Sequence, residues 1–394
     1  MEKTPNSLRK HIIIAGCTNA GKSTLFNAMT EQDKAIVSEI PGTTTDPVSS
    51  AMELIPYGPI VLVDTAGFGD ESALGAQRMS KTKELYRKAD AALFIHDANE
   101  SDMSAYERFK EERIDHLLVM TKCTEHSELA EKWSKGYPEA LFLQETVNGE
   151  DAKLIKEKLI ELLLKQKKEA DKPLIGDLLS FGSRVLLIIP IDSEAPKGRL
   201  ILPQVQVLRD CLDNGMACTV CRETELESAL ENQKSIDLVI TDSQVFGYVN
   251  ERVPLEVPLT SFSMLLARQK GNFAQLCEGV KSIDRLKDGS RILMLEGCTH
   301  NSSHEDIGRV KIPLLLKEKT GKSFDFSYFS GYDFPEDLSQ YDLAVQCGGC
   351  MLNRKELATR LVQMERAGLP VTNYGILLAW INDIFERSCE IFTS

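Results

Sequence analysis

"GCTNAGKST", residues 16–24, follows the apolar run "HIIIA" and leads into "LFNAM". The spacing G-x-x-x-x-G-K-S from Gly16 to Ser23, set between an apolar strand and a helix start, is the pattern of a loop that cradles phosphates. Gly16 and Gly21 let the backbone wrap around an anion. Amides at the opening of the helix supply donors along a favourable dipole. Lys22 is placed to reach the β- and γ-phosphates of a nucleoside triphosphate and Ser23 to ligate Mg²⁺, with Thr24 completing the phosphate-facing turn.

Working outward, "VLVDTAGFGD" (61–70) puts Asp64 at a strand end, where a carboxylate holds Mg²⁺ through water, and Gly67 offers its amide to the γ-phosphate. Between the two motifs lies "PGTTTDP" (41–47), whose central Thr44 supplies a second hydroxyl for Mg²⁺. Apolar runs "HIIIAG", "PIVLVDTAG", "AALFIHDA", "HLLVMTK" and "ALFLQET" alternate with amphipathic stretches, the rhythm of a parallel sheet covered by helices. The charged helix "EDAKLIKEKLIELLLKQKKEADKP" closes this part. Residues 1–170 are therefore expected to form a P-loop domain that binds a nucleoside triphosphate.

Base recognition departs from the usual pattern. Where N-K-x-D is expected after the fourth strand, the chain has "TKCT", Thr121 to Thr124. Lys122 fits the base-side lysine, but no carboxylate follows. "LQET" stands where a Ser-Ala-Lys motif would lie.

These segments resemble the switch regions of translation-factor-type GTPases, above all the branch containing the tRNA-modification GTPase MnmE. That resemblance implies GTP as the nucleotide and gives Asn19 a role in holding a K⁺ ion that replaces an arginine finger. Phe68 follows "DTAG" in place of a water-orienting glutamine, as in that branch, so slow intrinsic hydrolysis stimulated by potassium is implied.

Two smaller α/β domains are expected behind the first. Residues 171–268 carry strands near "SRVLLIIPI", "MACTVCR" and "IDLVITD", and residues 269–394 carry "SRILMLEG", "FDFSYFSG" and "YDLAVQCGG", with helices near 305–319 and 354–367. The first and third of these last strands lead into cysteine motifs. "LEGCTHNSSHEDIGR" holds Cys298, His300, His304 and Glu305, and "VQCGGCMLNR" holds Cys347 and Cys350. Both groups leave the C-terminal ends of strands, the edge at which open α/β sheets bind ligands, and the Gly348-Gly349 pair is expected to turn the two cysteines toward one centre. From spacing alone, a structural zinc site with His300 as fourth ligand and an iron–sulfur cluster fit equally. A second C-x-x-C, Cys218 and Cys221, sits inside a strand, where an odd separation sends the side chains to opposite faces. It reads as structural, and Cys17, Cys123, Cys211, Cys277 and Cys389 read as isolated.

Composition narrows the classes. With 394 residues, 42% hydrophobic, the chain suits two or three globular domains. Its N-terminal residues have no apolar leader, and no apolar run approaches the about 20 residues of a membrane span, so a cytoplasmic protein is expected. In a reducing compartment ten cysteines serve as metal ligands, reactive thiols or small buried hydrophobes. A net charge of −13 disfavours nucleic acid as a partner.

The order of GTPase, middle βα domain, "GCTHNSSHEDIGR" and "CGGCMLNR" resembles the HydF family, the GTPase scaffolds of [FeFe]-hydrogenase maturation. Several properties are implied by that resemblance. Cys298, Cys347 and Cys350 hold a [4Fe–4S] cluster, with one iron open or weakly ligated, and His300, His304 and Glu305 are the candidate fourth ligands. Gln346 stands where the family often has a histidine. The chain is a homodimer joined through its middle domain, receives a di-iron subcluster precursor from the radical-SAM maturases HydE and HydG, and delivers it to apo-[FeFe]-hydrogenase. The competing expectation is an RNA-modification or ribosome-assembly GTPase with a zinc-stabilised C-terminal domain.

Overall fold

A computed structural model describes residues 4–31, 38–39, 48–65, 82, 84–123, 128–143, 148–170, 172–191, 200–233, 235–297 and 306–392. The chain divides into two compact units, Met1–Asp171 and Lys172–Ser394.

The first unit is built around β1, Lys10–Gly16, whose residues from His11 onward are all buried. It pairs in parallel with β4 (Gly58–Asp64) on one side and β5 (Ala91–Asp97) on the other. Strands β2 (Ser38–Glu39), β3 (Ser49–Leu54), β6 (His116–Thr121) and β7 (Leu141–Phe142) complete a seven-stranded sheet in the order β2-β3-β4-β1-β5-β6-β7. Successive side chains of β1 serve opposite faces. Ile12 and Ile14 join Leu25, Met29, Ile155 and Leu159, whereas Ile13 and Ala15 join Val63, Phe94, Phe109 and Trp133. Burial on both faces explains why the strand reads as a continuous apolar run instead of alternating. The helix Gly149–Ala170 turns Ala152, Ile155, Leu159 and Leu163 inward, a three-to-four residue spacing that lines one helical face. The sequence rhythm gives no sign of β3, which runs antiparallel to both neighbours.

In the second unit two four-stranded sheets are parallel throughout. One has the order β11-β10-β8-β9, from β8 (Arg184–Ile188), β9 (Ala217–Cys221), β10 (Leu238–Thr241) and β11 (Leu259–Ser261). The other has the order β13-β12-β14-β15, from β12 (Arg291–Glu296), β13 (Asp325–Ser330), β14 (Leu343–Gln346) and β15 (Val371–Asn373). One continuous core spans both, running from Leu186, Ile188 and Val239 through Met264 and Leu276 to Met294, Val345 and Ile376. The helix Phe262–Lys270 extends past residue 268 and links the two sheets. "YGILLAWI" forms the helix Tyr374–Ile381, apolar all round because it is a core helix. Among the described residues no helix is long and apolar enough to cross a membrane.

Candidate functional site

The phosphate-loop pattern folds as its spacing requires. Gly16 closes β1 with φ +143°, and a Cβ there would lie 2.2 Å from the Ile95 carbonyl oxygen, so β5 itself demands glycine. Asn19 adopts the left-handed conformation, φ 63°, and Gly21 has φ 98° before the helix Lys22–Glu31 begins. From the first turn of that helix the buried Lys22 donates to the Cys17 carbonyl at 2.7 Å. Ser23 Oγ donates to Asp64 Oδ2 at 2.6 Å, joining the loop to the end of β4. The other Asp64 oxygen, Oδ1, is buried with no hydrogen-bond partner among the described residues.

Electrostatics follow from this packing. Burial pushes the Lys22 ammonium below the usual lysine range, opposed by Asp64. Burial likewise raises the Asp64 carboxyl, countered by the Ser23 hydrogen bond and the Lys22 charge. A buried cation and an unfilled carboxylate oxygen thus stand beside a loop of open backbone. Polyphosphate relieves the first and a divalent cation the second, so the residues fit a Mg²⁺-nucleotide.

Thr121 and Lys122 pack against the same loop. Thr121 donates to the Ala20 carbonyl at 3.1 Å and to the His96 carbonyl at 3.3 Å. Lys122 reaches Asp97 Oδ2 at 2.5 Å and the Asn19 carbonyl at 3.5 Å. Burial raises the Asp97 carboxyl, but the Lys122 hydrogen bond and charge and the Asn99 amide outweigh it and hold the group below the usual range. Asp97 was not a candidate in the sequence: it ends β5 opposite Thr121, a pairing visible only once the strands are aligned. Thr44, Gly67, Phe68 and Thr124 lie outside the described residues.

The cysteine motifs meet at another strand edge. β12 and β14 are neighbours, with Leu295 opposite Gln346, so the residues after each strand emerge side by side. This is where the strand order of the sheet reverses, the crevice that binds ligands in open α/β sheets. The Gly297 amide donates to Cys347 Sγ at 2.9 Å, joined by the Gly349 amide at 3.3 Å and Gln346 Nε2 at 3.7 Å. Burial raises the Cys347 thiol, and the Gly349 and Gly297 amides pull it back. Gln346 also donates to the Leu295 carbonyl at 3.1 Å, while its Oε1 is buried without a partner.

Cys298, His300, His304 and Glu305 lie outside the described residues. Their flanks are tied together: Arg309 holds Glu296 through Nε at 3.1 Å and Nη2 at 2.9 Å, and Ser330 donates to the same carboxylate at 2.8 Å. Sulfur donors already receiving backbone N–H bonds, with Cys298 directly after Gly297, fit a thiolate-bound metal centre.

Two expectations about this region change. Only Gly349 has positive φ, 62°; Gly348 does not, so one glycine makes the turn and not the pair. Cys277 and Cys389 are not isolated, since their sulfurs stand 4.0 Å apart between helices Phe273–Val280 and Phe385–Cys389. By contrast, Cys218 and Cys221 serve different cores on the two faces of β9, as their spacing requires.

A mostly parallel sheet with this loop at its central strand is the frame of a P-loop GTPase, and residues 11–122 match the family model described as 50S ribosome-binding GTPase. Residues 174–271 match the hydrogen maturase F dimerization domain and residues 274–391 its tetramerization domain. Together these two take in more than half of the chain, which belongs to the hydrogen maturase F (HydF) family. Both matches support self-association. The front of the chain is 37% identical over 127 residues to the tRNA modification GTPase MnmE of Aquifex aeolicus (strain VF5), covering 30% of this chain and 28% of that protein. It is 43% identical over 86 residues to MnmE of Methylobacterium sp. (strain 4-46), covering 21% and 20%. The chain therefore spans about a quarter of the length of these curated relatives. Among solved structures, the G domain of the T. maritima FeoB iron transporter aligns with 23% identity and a TM-score of 0.30, covering 39% of this chain and 99% of that one.

Proposed function

We propose that the chain is a GTP-hydrolysing scaffold that holds a [4Fe–4S] cluster on Cys298, Cys347 and Cys350 and hands a di-iron precursor to apo-[FeFe]-hydrogenase. Family membership supports the maturation role. The observation that carries the cluster assignment is the 2.9 Å bond from the Gly297 amide to Cys347 Sγ, because it fixes the chain immediately before Cys298 against the second cysteine motif.

At the front, Gly16, Gly21 and Thr24 shape the phosphate cradle and Lys22 neutralises the β- and γ-phosphates. Ser23 and Thr44 ligate Mg²⁺, with Asp64 holding its water shell. Gly67 offers its amide to the γ-phosphate, Lys122 lies along the base, and Asn19 helps hold K⁺ where an arginine finger would otherwise act. At the back, a cluster ligated by three cysteines supplies an iron open to exchangeable ligands. His300, His304 or Glu305 fills that position, a carboxylate being the hardest and most easily displaced of the three. Residues 171–268 form the domain that joins two chains, and residues 269–394 form the cluster domain. HydE and HydG are the proposed donors of the precursor.

Iron, sulfide and zinc analysis of anaerobically purified protein tests this reading. A brown protein with about four irons and four sulfides per chain is expected. Colourless protein with one zinc and no sulfide would refute it in favour of an RNA-associated GTPase with a zinc-stabilised domain.

A further inference from the structure

We infer that Lys270 is a positioning residue for the cysteine loop, setting the charge and the amide orientation around whatever metal centre Cys350 holds. The inference rests on the cluster reading above.

Lys270 is the last residue of the helix Phe262–Lys270 and is 6% exposed. Its ammonium donates to the carbonyls of Gly349 at 3.0 Å and Leu352 at 3.0 Å, with the Cys350 carbonyl at 3.5 Å. Three carbonyls use the three N–H groups of the ammonium, so its hydrogen bonding is complete. Its charge is not. Among the described residues Lys270 forms no ion pair with a carboxylate, and the titratable groups beside it are the thiols of Cys350 and Cys347. Burying an ammonium without an anion is costly, and the anion available here is thiolate.

The peptide geometry adds a second effect. In a trans peptide the C=O and the N–H of one unit point in opposite directions. Lys270 holds the carbonyls of Gly349 and Cys350, whose peptide units carry the N–H groups of Cys350 and Met351. Both of those N–H groups lie beside the Cys350 sulfur. The lysine therefore grips the loop from one side and turns its amides to the sulfur on the other. Net charge and hydrogen bonds to sulfur are two of the main determinants of iron–sulfur potential, and both act here to favour the reduced, more negative state.

The full-length protein is first assayed for iron and sulfide; if the wild type lacks them, the cluster reading fails, whatever Lys270 does. Given a loaded wild type, Lys270→Met, Lys270→Gln and Lys270→Arg are compared by redox titration followed by electron paramagnetic resonance. The neutral variants are expected to raise the oxidised-to-reduced ratio at fixed ambient potential at least tenfold, a shift of 59 mV to more negative potential for one electron. Arginine keeps the charge and the carbonyl donors, and should stay within threefold of wild type. An unchanged ratio in Lys270→Met, or a shift in Lys270→Arg as large as in the neutral variants, overturns the inference. If Lys270→Met loses the cluster, retention becomes the readout: Lys270→Gln must lose it and Lys270→Arg must keep it. Any other pattern overturns the inference.

Discussion

The phosphate loop and the cysteine loop occupy equivalent places in different sheets. Each follows a central parallel strand, β1 between β4 and β5 or β14 beside β12, and each projects from the C-terminal edge. Both rely on backbone amides and a buried lysine. They differ in where the parts come from. Residues 16–24 contain much of the phosphate cradle, with the lysine on the same helix turn, and Asp64 joins it from the end of β4. The cysteine site draws Gly297 from 50 residues before Cys347, and Lys270 from 79 residues before Gly349. A contiguous anion site needs one strand, one turn and one helix. A site for a charged sulfur centre needs several elements to bring donors to a buried place, and so depends on the integrity of the whole unit.

The sharpest way to break this comparison is to disable one site at a time. Lys22→Ala removes the main counter-charge of the phosphates, and GTP turnover should fall about 10²-fold or more, with iron content at the wild-type level. Cys347→Ala should lose essentially all iron and sulfide. Parallel loss of iron in Lys22→Ala would show that the two sites do not assemble independently.

Backbone demands rank next. Gly16→Ala forces a Cβ to 2.2 Å from the Ile95 carbonyl at a φ of +143°, and should cost the first unit about 3 kcal/mol. Gly349→Ala, at φ +62° and 2.7 Å from Leu357 Cδ1, should cost about 1–2 kcal/mol. Gly348→Ala meets nothing closer than Ser263 Oγ at 3.4 Å and should be nearly neutral. Trp133 and Trp380, one in each unit, report the two melts separately when the other is changed to Phe. Equal destabilisation at Gly348 and Gly349 would mean that the turn is not carried by the left-handed residue.

The same contrast decides what could be read from sequence. Strand β1, the phosphate loop and the helix Lys22–Glu31 are legible because strand, glycine turn and helix start are consecutive. The placement of Cys347 after a strand is legible for the same reason. Lys270 is not, since "ARQKGN" carries no sign of the carbonyls it meets across 79 residues. Strands β11 and β15, three residues each, are too short to show a period, and the Cys277–Cys389 proximity spans 112 residues. Sequence reasoning reaches as far as local geometry does.

A smaller effect sharpens the account of the front site. If Asn19 helps hold K⁺, GTP hydrolysis should be several-fold faster in K⁺ than in Na⁺ at equal ionic strength, and Asn19→Ala should erase the difference. Equal rates in the two salts would remove Asn19 from the catalytic set and leave its left-handed backbone, φ 63°, as a purely structural feature.

The smallest effect expected is a difference in acid sensitivity between the units. His11, on β1, is buried, and its Nε2 lies 3.1 Å from the Asn6 carbonyl. A carbonyl only accepts, so Nε2 carries the proton in the neutral ring and Nδ1 is bare. Nδ1 is buried with no partner among the described residues, and protonation there would create an N–H with no acceptor among them. Burial accordingly lowers the imidazole below its usual range, helped by the Lys88 charge and opposed by Asp90 and the Asn6 carbonyl. Because the native pKa lies below the unfolded value of about 6.5, the unfolded chain binds the proton first as pH falls. Stability of the first unit should therefore decline as pH drops through about 6.5 and stop declining on this account below the native pKa. In the second unit the only histidines are His300 and His304, both in the candidate ligand segment. Followed by Trp133 fluorescence in a Trp380→Phe background, the melting temperature should fall between pH 7.5 and 5.5, and His11→Gln, which keeps a donor for Asn6 but cannot titrate, should flatten that fall. An identical pH slope in His11→Gln would assign the acid sensitivity to carboxylates and leave His11 a silent core residue.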